Sequence, residues 1–424
     1  MPFGDQELFY DQIHSAVVLG RTSGDQQNRF LMLNLLLAVR QRSESLVAPL
    51  EPEDLCLQGM ADASPPKWHL AHTTWFFDTF LLQPYLKGYE GCDPRWSYQF
   101  NSYYEAAGAR HPRPSRGVLT RPTIREVLAW RQRVDAALTQ LLTSPDADQE
   151  DIQQLAELGL HHEQQHQELL LMDLLDGFSR QPLEPAYQTG ADHHLGPLEP
   201  TQARWISCDG GLYEIGHAGA GFHFDNEGPS HRIWLEAFAL MDHLVCNDDF
   251  RCFIADGGYQ RPELWMSEGW AVQQQLGWQA PRYWRGDGPA DQWQEEFTLE
   301  GRRRLNPQAP VRHLSWFEAD AYARWCGARL PSEAEWEVAL QQHQPLIHDA
   351  HGKLWQWTAS PYRPYPGFLP APGAVGEYNG KFMSSQFVLR GSSWLTPKGH
   401  GRDTYRNFFA PANRWMAAGL RLAR

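Results

Sequence analysis

The sequence predicts an α-helical bundle followed by a domain of the α+β class. Apolar residues recur at helical spacing through the first half of the chain. From about residue 178, short β-like runs stand instead among many Gly, Trp and Pro. The length of 424 residues exceeds one domain at roughly 150 residues each. We therefore assign residues 1–180 to the bundle, 181–204 to a linker and 205–424 to the α+β domain.

The first half contains five segments with helical signals, at 29–45, 51–54 (a helix start), 67–82, 123–143 and 148–175. Pro66 precedes the third segment, and Thr123 with Glu126 has the spacing of a capping box. Asp176 and Gly177 are expected to end the last helix. Long helices joined by short links, with one irregular excursion at 84–122, predict an up-and-down four-helix bundle.

The second half begins with the linker, which four prolines within 180–204 indicate. Strands are expected at 212–215 and 232–235, and helices at 316–326 and 332–341. Pro331 and Ser332, followed by acids at 333 and 335, mark the start of the last helix. With 18 Trp in the chain, we expect aromatic packing to hold this irregular domain together.

Composition excludes several classes of protein. The 37 Lys and Arg against 51 Asp and Glu give a net charge of -14 without a basic block, which argues against a nucleic-acid partner. No apolar run approaches the roughly 20 residues that span a bilayer, and the N-terminus lacks the features of a secretory signal. The six cysteines are scattered without a C-x-x-C pair, so we expect reduced thiols in a cytoplasmic protein.

The strongest chemical signal is the run HEQQH at 162–166. On a helix, positions i and i+4 lie on one face, so His162 and His166 can bind one metal ion. The run also satisfies the H-E-x-x-H pattern of zinc proteases, in which Glu163 would be the general base. A solvated polar helix face is the simpler alternative. The sequence downstream lacks the Gly and third His of a metzincin.

A third imidazole is available on an earlier helix, in the run WHLAH at 68–72. Two facing helices of a bundle can supply His72, His162 and His166 to one side of an ion. Three neutral imidazoles suit non-haem iron(II) with open positions, or zinc with one water. Spacing does not choose between the two metals. His69 and His161 point elsewhere on their helices and are expected to act as capping or supporting residues.

Two further groups lie in the excursion between helices. Adjacent Tyr103 and Tyr104 are commonly packing residues, but a phenol with a pKa of about 10 can donate a proton beside an oxygen-activating metal. Arginines recur in the Pro-rich loop that follows, which indicates either a solvated loop or a site for a carboxylate-bearing or otherwise anionic ligand. These arginines are Arg110, Arg113, Arg116 and Arg121.

Several motifs together resemble one family. The run SPPKWHLAHTTWFF at 64–77 is the longest, and further similar runs occur in the same order at 100–105, 162–169, 224–227, 256–259, 330–336, 377–383 and 405–409. The likeness spans about residues 45 to 424. It identifies the chain as similar to the ergothioneine-biosynthesis sulfoxide synthases, a family that includes a selenoneine synthase branch.

The resemblance implies a fold and an activity. The fold is a DinB-like four-helix bundle carrying iron ligands, followed by a domain similar to formylglycine-generating enzyme and related to C-type lectins, which completes the substrate pocket. The family uses Fe(II) and O2 to couple a sulfur or selenium donor to imidazole C2 of hercynine. The expected partners are therefore small molecules: hercynine with cysteine, γ-glutamylcysteine or a selenosugar.

The resemblance also implies roles for individual residues. His72, His162 and His166 match the iron ligands, and Tyr103 and Tyr104 resemble active-site tyrosines. The implied substrate contacts are Gln165, Asn407 and Phe408 for hercynine and, less closely matched, Arg113 and Arg116 for the sulfur donor. Trp415 and Ala417 lie near the implied pocket.

Three departures from the family pattern bear on the donor. Phe409 replaces an acid that contacts γ-glutamylcysteine in some members. Ala417 replaces a common Phe, which is expected to open space for a bulkier selenosugar. Ser392 and Ser393 stand where formylglycine-generating enzymes need a cysteine pair, so that activity is not expected. The donor, the active tyrosine and the oligomeric state are left open. Outside the family, a zinc hydrolase using Glu163 and a non-catalytic lectin-like binding module are the alternatives.

Overall fold

The computed structural model describes residues 25–144, 150–188, 203–370, 376 and 379–424. These residues fall into two compact units. The first extends to Gly177 and includes 220–222, and the second holds the remainder. Most of the predicted linker, 189–202, and the first two residues of the motif at 377–383 lie outside the described residues. In the described part of the chain, no helix is both long and apolar enough to span a bilayer.

The first unit is built on four long helical segments, as predicted. They are α1 (Asp25–Val47), α2 (Pro66–Phe77), α4 (Ile124–Thr143) and α5 (Glu150–Ser179), and a short α3 (Pro94–Phe100) lies between α2 and α4. A π-type turn, Asp78–Leu82, continues α2 to Tyr85. The predicted capping box is confirmed: the Thr123 side chain accepts from the Glu126 N–H, and the Glu126 carboxylate accepts from the Thr123 N–H.

Two helix boundaries differ from prediction. Helix α5 continues through Asp176 and Gly177 to Ser179. The glycine serves close packing rather than termination, because a Cβ there would lie 2.5 Å from Leu57 Cδ2. The predicted helix start at 51–54 gives only a short turn, Asp54–Cys56. Helix α3 was not predicted, although Asp93 caps it by accepting from the Arg95 N–H.

The described residues of the second unit form four small sheets. Their strands are β1 (Trp205–Cys208), β2 (Gly211–Ile215), β3 (His231–Leu235), β4 (Phe238–Met241), β5 (Trp284–Arg285), β6 (Glu295–Thr298), β7 (Gly301–Arg304), β8 (Trp355–Pro361), β9 (Phe387–Gly391), β10 (Asn407–Phe409) and β11 (Ala418–Gly419). Strand β1 pairs with β4 and β2 with β3, while the larger sheets have the orders β5-β6-β7 and β10-β9-β8-β11. Both predicted strands are present, as the antiparallel pair β2–β3.

In the part of this unit that the structure describes, four α-helices accompany the sheets: α6 (Asn247–Ala255), α7 (Ser267–Leu276), α8 (Trp316–Trp325) and α9 (Glu333–His343). The sequence predicted α8 and α9 but not α6 and α7. Helix α9 buries Trp336 and Leu340 in a core shared with β1 to β4. Buried ion pairs tie α9 to the four-stranded sheet, from Glu337 to Arg390 and from Glu333 to Arg406, the residue just before β10.

Candidate metal centre

Three histidines from two helices of the first unit converge. His72 lies on α2, and His162 and His166 lie one turn apart on α5. One ring nitrogen from each lies within 4.8 Å of the others. Among the described residues, this is the only group of three or more His, Cys, Asp or Glu so arranged. The structure therefore brings together the three residues that the sequence predicted as metal ligands.

Close packing of α5 against α2 permits this convergence. At Gly159, one turn before His162, a Cβ would lie 2.3 Å from Cε1 of the Phe77 ring. Only glycine lets the two helices approach this closely without moving that ring. His72 and His162 are consequently buried, with 0% and 1% exposure, and their Nε2 atoms lie 3.2 Å apart.

Burial keeps the three imidazoles neutral. Desolvation lowers the pKa of His72 and of His166 well below 6.5, and the imidazoles of His162 and His69 lower both values further. Desolvation also lowers the pKa of His162 to about 3. A neutral imidazole carries one N–H and one bare nitrogen, and the bare nitrogen is the form that binds a metal.

The hydrogen bond of His72 fixes which nitrogen is bare. Its Nδ1 lies 2.6 Å from the carbonyl oxygen of Phe100. A carbonyl only accepts, so Nδ1 carries the proton and Nε2, which faces His162, is bare. The 3.2 Å separation of the two Nε2 atoms fits a metal with bonds of about 2.1 Å, for which neighbouring ligands lie about 3.0 Å apart in octahedral and about 3.4 Å apart in tetrahedral geometry. The donor set thus fits Fe(II) and Zn(II) alike.

Glu163, the general base of the hydrolase alternative, is engaged elsewhere. Its carboxylate accepts from Arg40 at 3.0 Å, from Ser43 at 2.6 Å and from Arg131, in a site with 0% exposure. Burial alone raises its pKa, but Arg131 and Arg40 outweigh burial and hold the pKa below its ordinary value. Because both oxygens are held by partners on α1 and α4, the structure disfavours Glu163 as a general base and assigns it to joining three helices.

His69 supports the centre, as the sequence suggested. Its Nδ1 lies 2.9 Å from His166 Nδ1, and its Nε2 lies 3.2 Å from Asp173 Oδ2. Burial raises the pKa of Asp173, while the hydrogen bonds from His69 and from the backbone N–H of Ser64 oppose that rise. Sequence reasoning did not assign Asp173 a role, although its position two turns after His166 on α5 puts it on the same side of the helix.

The two tyrosines lie in an aromatic cluster beside the histidines. Tyr104 is fully buried, with ring centroids 4.7 Å from Tyr103 and 6.4 Å from Phe76. The Phe76 ring in turn lies 4.7 Å from the His162 ring. Asn101 fixes the backbone here, since its side chain donates to the Tyr104 carbonyl at 3.0 Å and accepts from the Tyr104 N–H at 3.2 Å.

Of the predicted arginine cluster, only Arg116 is buried. Its guanidinium carbon lies 3.4 Å from the centre of the Trp68 ring, and it donates to Ser64 Oγ at 2.8 Å. Desolvation, with Arg113 and Arg110 nearby, lowers its pKa to about 8. Its Nε is buried without a hydrogen-bond acceptor, and within the described part of the chain no carboxylate forms an ion pair with it. Arg113 is exposed.

The remaining predicted contacts are partly accessible. Gln165 is half-buried on α5, next to His166. In the second unit, Asn407 and Phe408 are half-buried on β10, an edge strand. The Phe408 ring stacks on Tyr362 at 4.1 Å and 10°. Asn407 Oδ1 accepts from the Phe408 N–H at 2.9 Å, so the Asn407 side chain is held at the sheet edge.

Comparison with known proteins covers both units. The model of the DinB superfamily matches residues 35–170, and that of the sulfatase-modifying factor enzyme 1-like domain matches 194–345 and 346–424. A protein named hercynine oxygenase from Mycolicibacterium smegmatis is 31% identical over 92% of this chain and 97% of its own length. The chain belongs to the hercynine oxygenase family. A hercynine oxygenase from Mycobacterium tuberculosis is 29% identical with the same coverage of both chains.

The second unit also resembles formylglycine-generating enzymes, and one from Streptomyces coelicolor is 33% identical over 32% of this chain and 46% of its own length. The six cysteines are free thiols and the last is Cys326, so no cysteine pair stands near Ser392 and Ser393. This chain therefore lacks the cysteine pair that the activity of formylglycine-generating enzymes needs.

The expectation of open space at Ala417 is wrong. Ala417 has 0% exposure, and its carbonyl accepts from the Trp355 N–H at 3.0 Å. No solvent-accessible space therefore adjoins the Ala417 side chain. Trp415 is also buried, and its ring meets the edge of Phe409 at 5.5 Å and 82°. The replacement of Phe by Ala at 417 therefore gives no argument for a bulkier donor.

Proposed function

We propose that this chain is an Fe(II)- and O2-dependent hercynine oxygenase that couples a sulfur or selenium donor to imidazole C2 of hercynine. The observation that carries the proposal is the meeting of three imidazoles from α2 and α5 in a chain whose full-length relatives are hercynine oxygenases. Three neutral ligands leave several coordination positions for substrates, as a two-substrate reaction with O2 requires.

His72, His162 and His166 would hold the iron, which supplies the activation of O2 and the electron transfer. The protein contributes position and proton supply. Tyr104, which is fully buried in the aromatic cluster that adjoins His162, is our candidate proton or hydrogen-atom donor, and Tyr103, whose ring centroid lies 4.7 Å away, is the alternative. The rings of Trp75, Phe76 and Phe80 lie around Tyr104, and its 0% exposure keeps bulk water from its side chain.

Hercynine carries a carboxylate and a quaternary ammonium group. We propose that Asn407 contacts the carboxylate and that Phe408 offers an aromatic face to the ammonium. Stacking on Tyr362 at 4.1 Å holds that ring in place. Gln165, half-buried beside His166, is proposed to contact the hercynine imidazole.

Arg116 supports a donor that bears a carboxylate. A guanidinium that is 2% exposed and lacks an ion-pair partner among the described residues gains most from an anionic ligand. Cysteine and γ-glutamylcysteine provide that group, and a selenosugar does not. Phe409 argues against γ-glutamylcysteine, because an apolar ring stands where an acid contacts that donor in related enzymes. A selenosugar therefore remains the second candidate.

The test offers hercynine together with cysteine, γ-glutamylcysteine, a thiosugar and a selenosugar to the Fe(II)-loaded enzyme, and identifies the product by mass. We expect O2-dependent formation of one coupled product. Absence of any coupled product, or wild-type iron binding and turnover in His162→Ala, would refute the proposal.

A second pair of variants separates the donors. If the donor carboxylate pairs with Arg116, Arg116→Leu raises the KM for that donor by about 30-fold or more, since breaking a buried charge pair costs about 2–5 kcal/mol. Arg110→Leu is the matched control, because Arg110 is exposed and pairs with Glu105. An unchanged KM in Arg116→Leu would favour the selenosugar.

A further inference from the structure

A buried series of hydrogen bonds leads from the start of α2 to His166. The backbone N–H of Ser64 donates to Asp173 Oδ2 at 2.7 Å. His69 Nε2 lies 3.2 Å from the same oxygen, and His69 Nδ1 lies 2.9 Å from His166 Nδ1. Asp173 is 6% exposed and His69 is 3% exposed. Two side chains thus link the beginning of one helix to a histidine of the metal centre on the other.

When Asp173 is ionised, only one assignment of donor and acceptor is consistent with every hydrogen bond of this series. A carboxylate accepts, so the proton of His69 is on Nε2 and its Nδ1 is bare. The proton between the two Nδ1 atoms then belongs to His166, whose Nε2 is left bare. Ser64 lies just before the first turn of α2, where the helix dipole favours a negative charge on Asp173.

We propose that Asp173 and His69 are positioning residues that hold His166 in the tautomer whose Nε2 binds the metal. The opposite direction would place a proton on Nε2 and block binding through that atom. His72 receives the equivalent support from the carbonyl of Phe100. The inference rests on the proposed metal role of His166, and it adds two residues that act through a ligand rather than on substrate.

Metal affinity measures the proposed effect. Removing an outer partner of a ligand histidine typically weakens metal binding about 10- to 100-fold. We expect His69→Phe and Asp173→Ala to raise the Kd for Co(II), titrated anaerobically by its visible absorption, by about that factor. Asp173→Asn should lose less, because the amide oxygen still accepts from His69. Asp176→Asn, a buried acid three residues further along α5, is the matched control and should retain the wild-type Kd.

As a control for folding, the unfolding temperature of each variant is measured without metal, in the presence of a chelator. It should stay near that of the wild type. An affinity loss that only follows a fall in unfolding temperature would assign the two residues to packing and overturn the proposal. Wild-type Co(II) affinity in both His69→Phe and Asp173→Ala would overturn it as well.

A direct measurement of the tautomer needs no metal. Ring 15N shifts of the histidine-labelled, metal-free wild type report the protonated nitrogen of each imidazole. We expect the His166 proton on Nδ1, and a mixture of tautomers in His69→Phe. A His166 proton on Nε2 in the wild type would refute this inference while normal metal binding leaves the proposed function standing. A wild type that binds neither Co(II) nor Fe(II) would refute both.

Discussion

Replacing Glu163 by Gln tests the assignment of this residue to structure. The amide oxygen of Gln can still accept from Ser43 and Arg131, but its NH2 group would face the donor of Arg40. The variant therefore loses one buried charge-assisted hydrogen bond and sets two donors against each other. Hydrogen bonds to charged groups contribute about 1.5–3 kcal/mol, and breaking a buried pair costs up to about 5. We expect a loss of about 2–4 kcal/mol in the free energy of unfolding.

The loss is moderate because the network keeps its remaining acids. Arg40 also pairs with Asp135, and Arg131 pairs with Glu44 at 3.2 Å. For a unit of this size, the loss corresponds to an unfolding temperature lower by about 5–12 °C. Circular dichroism during heating measures it, with Glu150→Gln as the control. Glu150 is exposed on the same helix, and its replacement should change stability by less than about 0.5 kcal/mol.

The pH dependence gives a second check with a definite sign. The folded state holds the pKa of Glu163 below its ordinary value of 4.5, so this stabilisation is present above pH 4.5 and is lost as the pH falls through the folded pKa. The gap between wild type and Glu163→Gln should therefore narrow below pH 4.5. If the variant unfolds at the wild-type temperature at neutral pH and loses only activity, Glu163 is a catalytic base and our assignment is wrong.

Three further substitutions test the packing and positioning of the site. Asn101→Ala removes the side-chain hydrogen bonds that hold the Tyr104 backbone. We expect kcat to fall about 10-fold or more, with little change in the KM for hercynine. An unchanged kcat would contradict the positioning role of Asn101. Ala417→Phe should destabilise the second unit by about 1–3 kcal/mol through overpacking, and a stable variant would show unfilled space at that position. Gly159→Ala should lower the unfolding temperature and weaken Co(II) binding, since its methyl would meet the Phe77 ring; wild-type values of both would show that the ring can move aside.

The sequence predicted the helices whose local signals agree with their tertiary environment. Helix α4 is an example, because its capping box at Thr123 and its apolar periodicity both persist in the structure. The predicted end of α5 was wrong because Gly177 packs closely against Leu57, which is far away in the sequence, instead of ending the helix. Helices α6 and α7 were missed because they follow Cys246 and Met266, which are not typical N-cap residues, whereas α8 and α9 follow serines.

The site residues, like the helices, could be predicted where the signal is local in sequence. His162 and His166 could be paired from their spacing alone, because both lie on one helix face. Adding His72 needed the assumption that two helices face each other, and the glycine that permits it, Gly159, has no sequence signal of its own. The resemblance to a family supplied Asn407 and Phe408. The buried state of Arg116 and the full burial of Ala417 could not be predicted, since each depends on residues distant in sequence.

Helix α5 carries two of the three ligand histidines and three residues that support the centre, in the stretch from Gly159 through His162, Glu163 and His166 to Asp173. Inserting or deleting one residue between these points would rotate everything beyond it by about 100° and shift it by about 1.5 Å along the axis. The ligand pair, the ion-pair network and the support of His166 could not then all keep their partners. The length of this segment is therefore more constrained than its composition, and natural variants of the chain should differ here by exchange of residues and not by gaps.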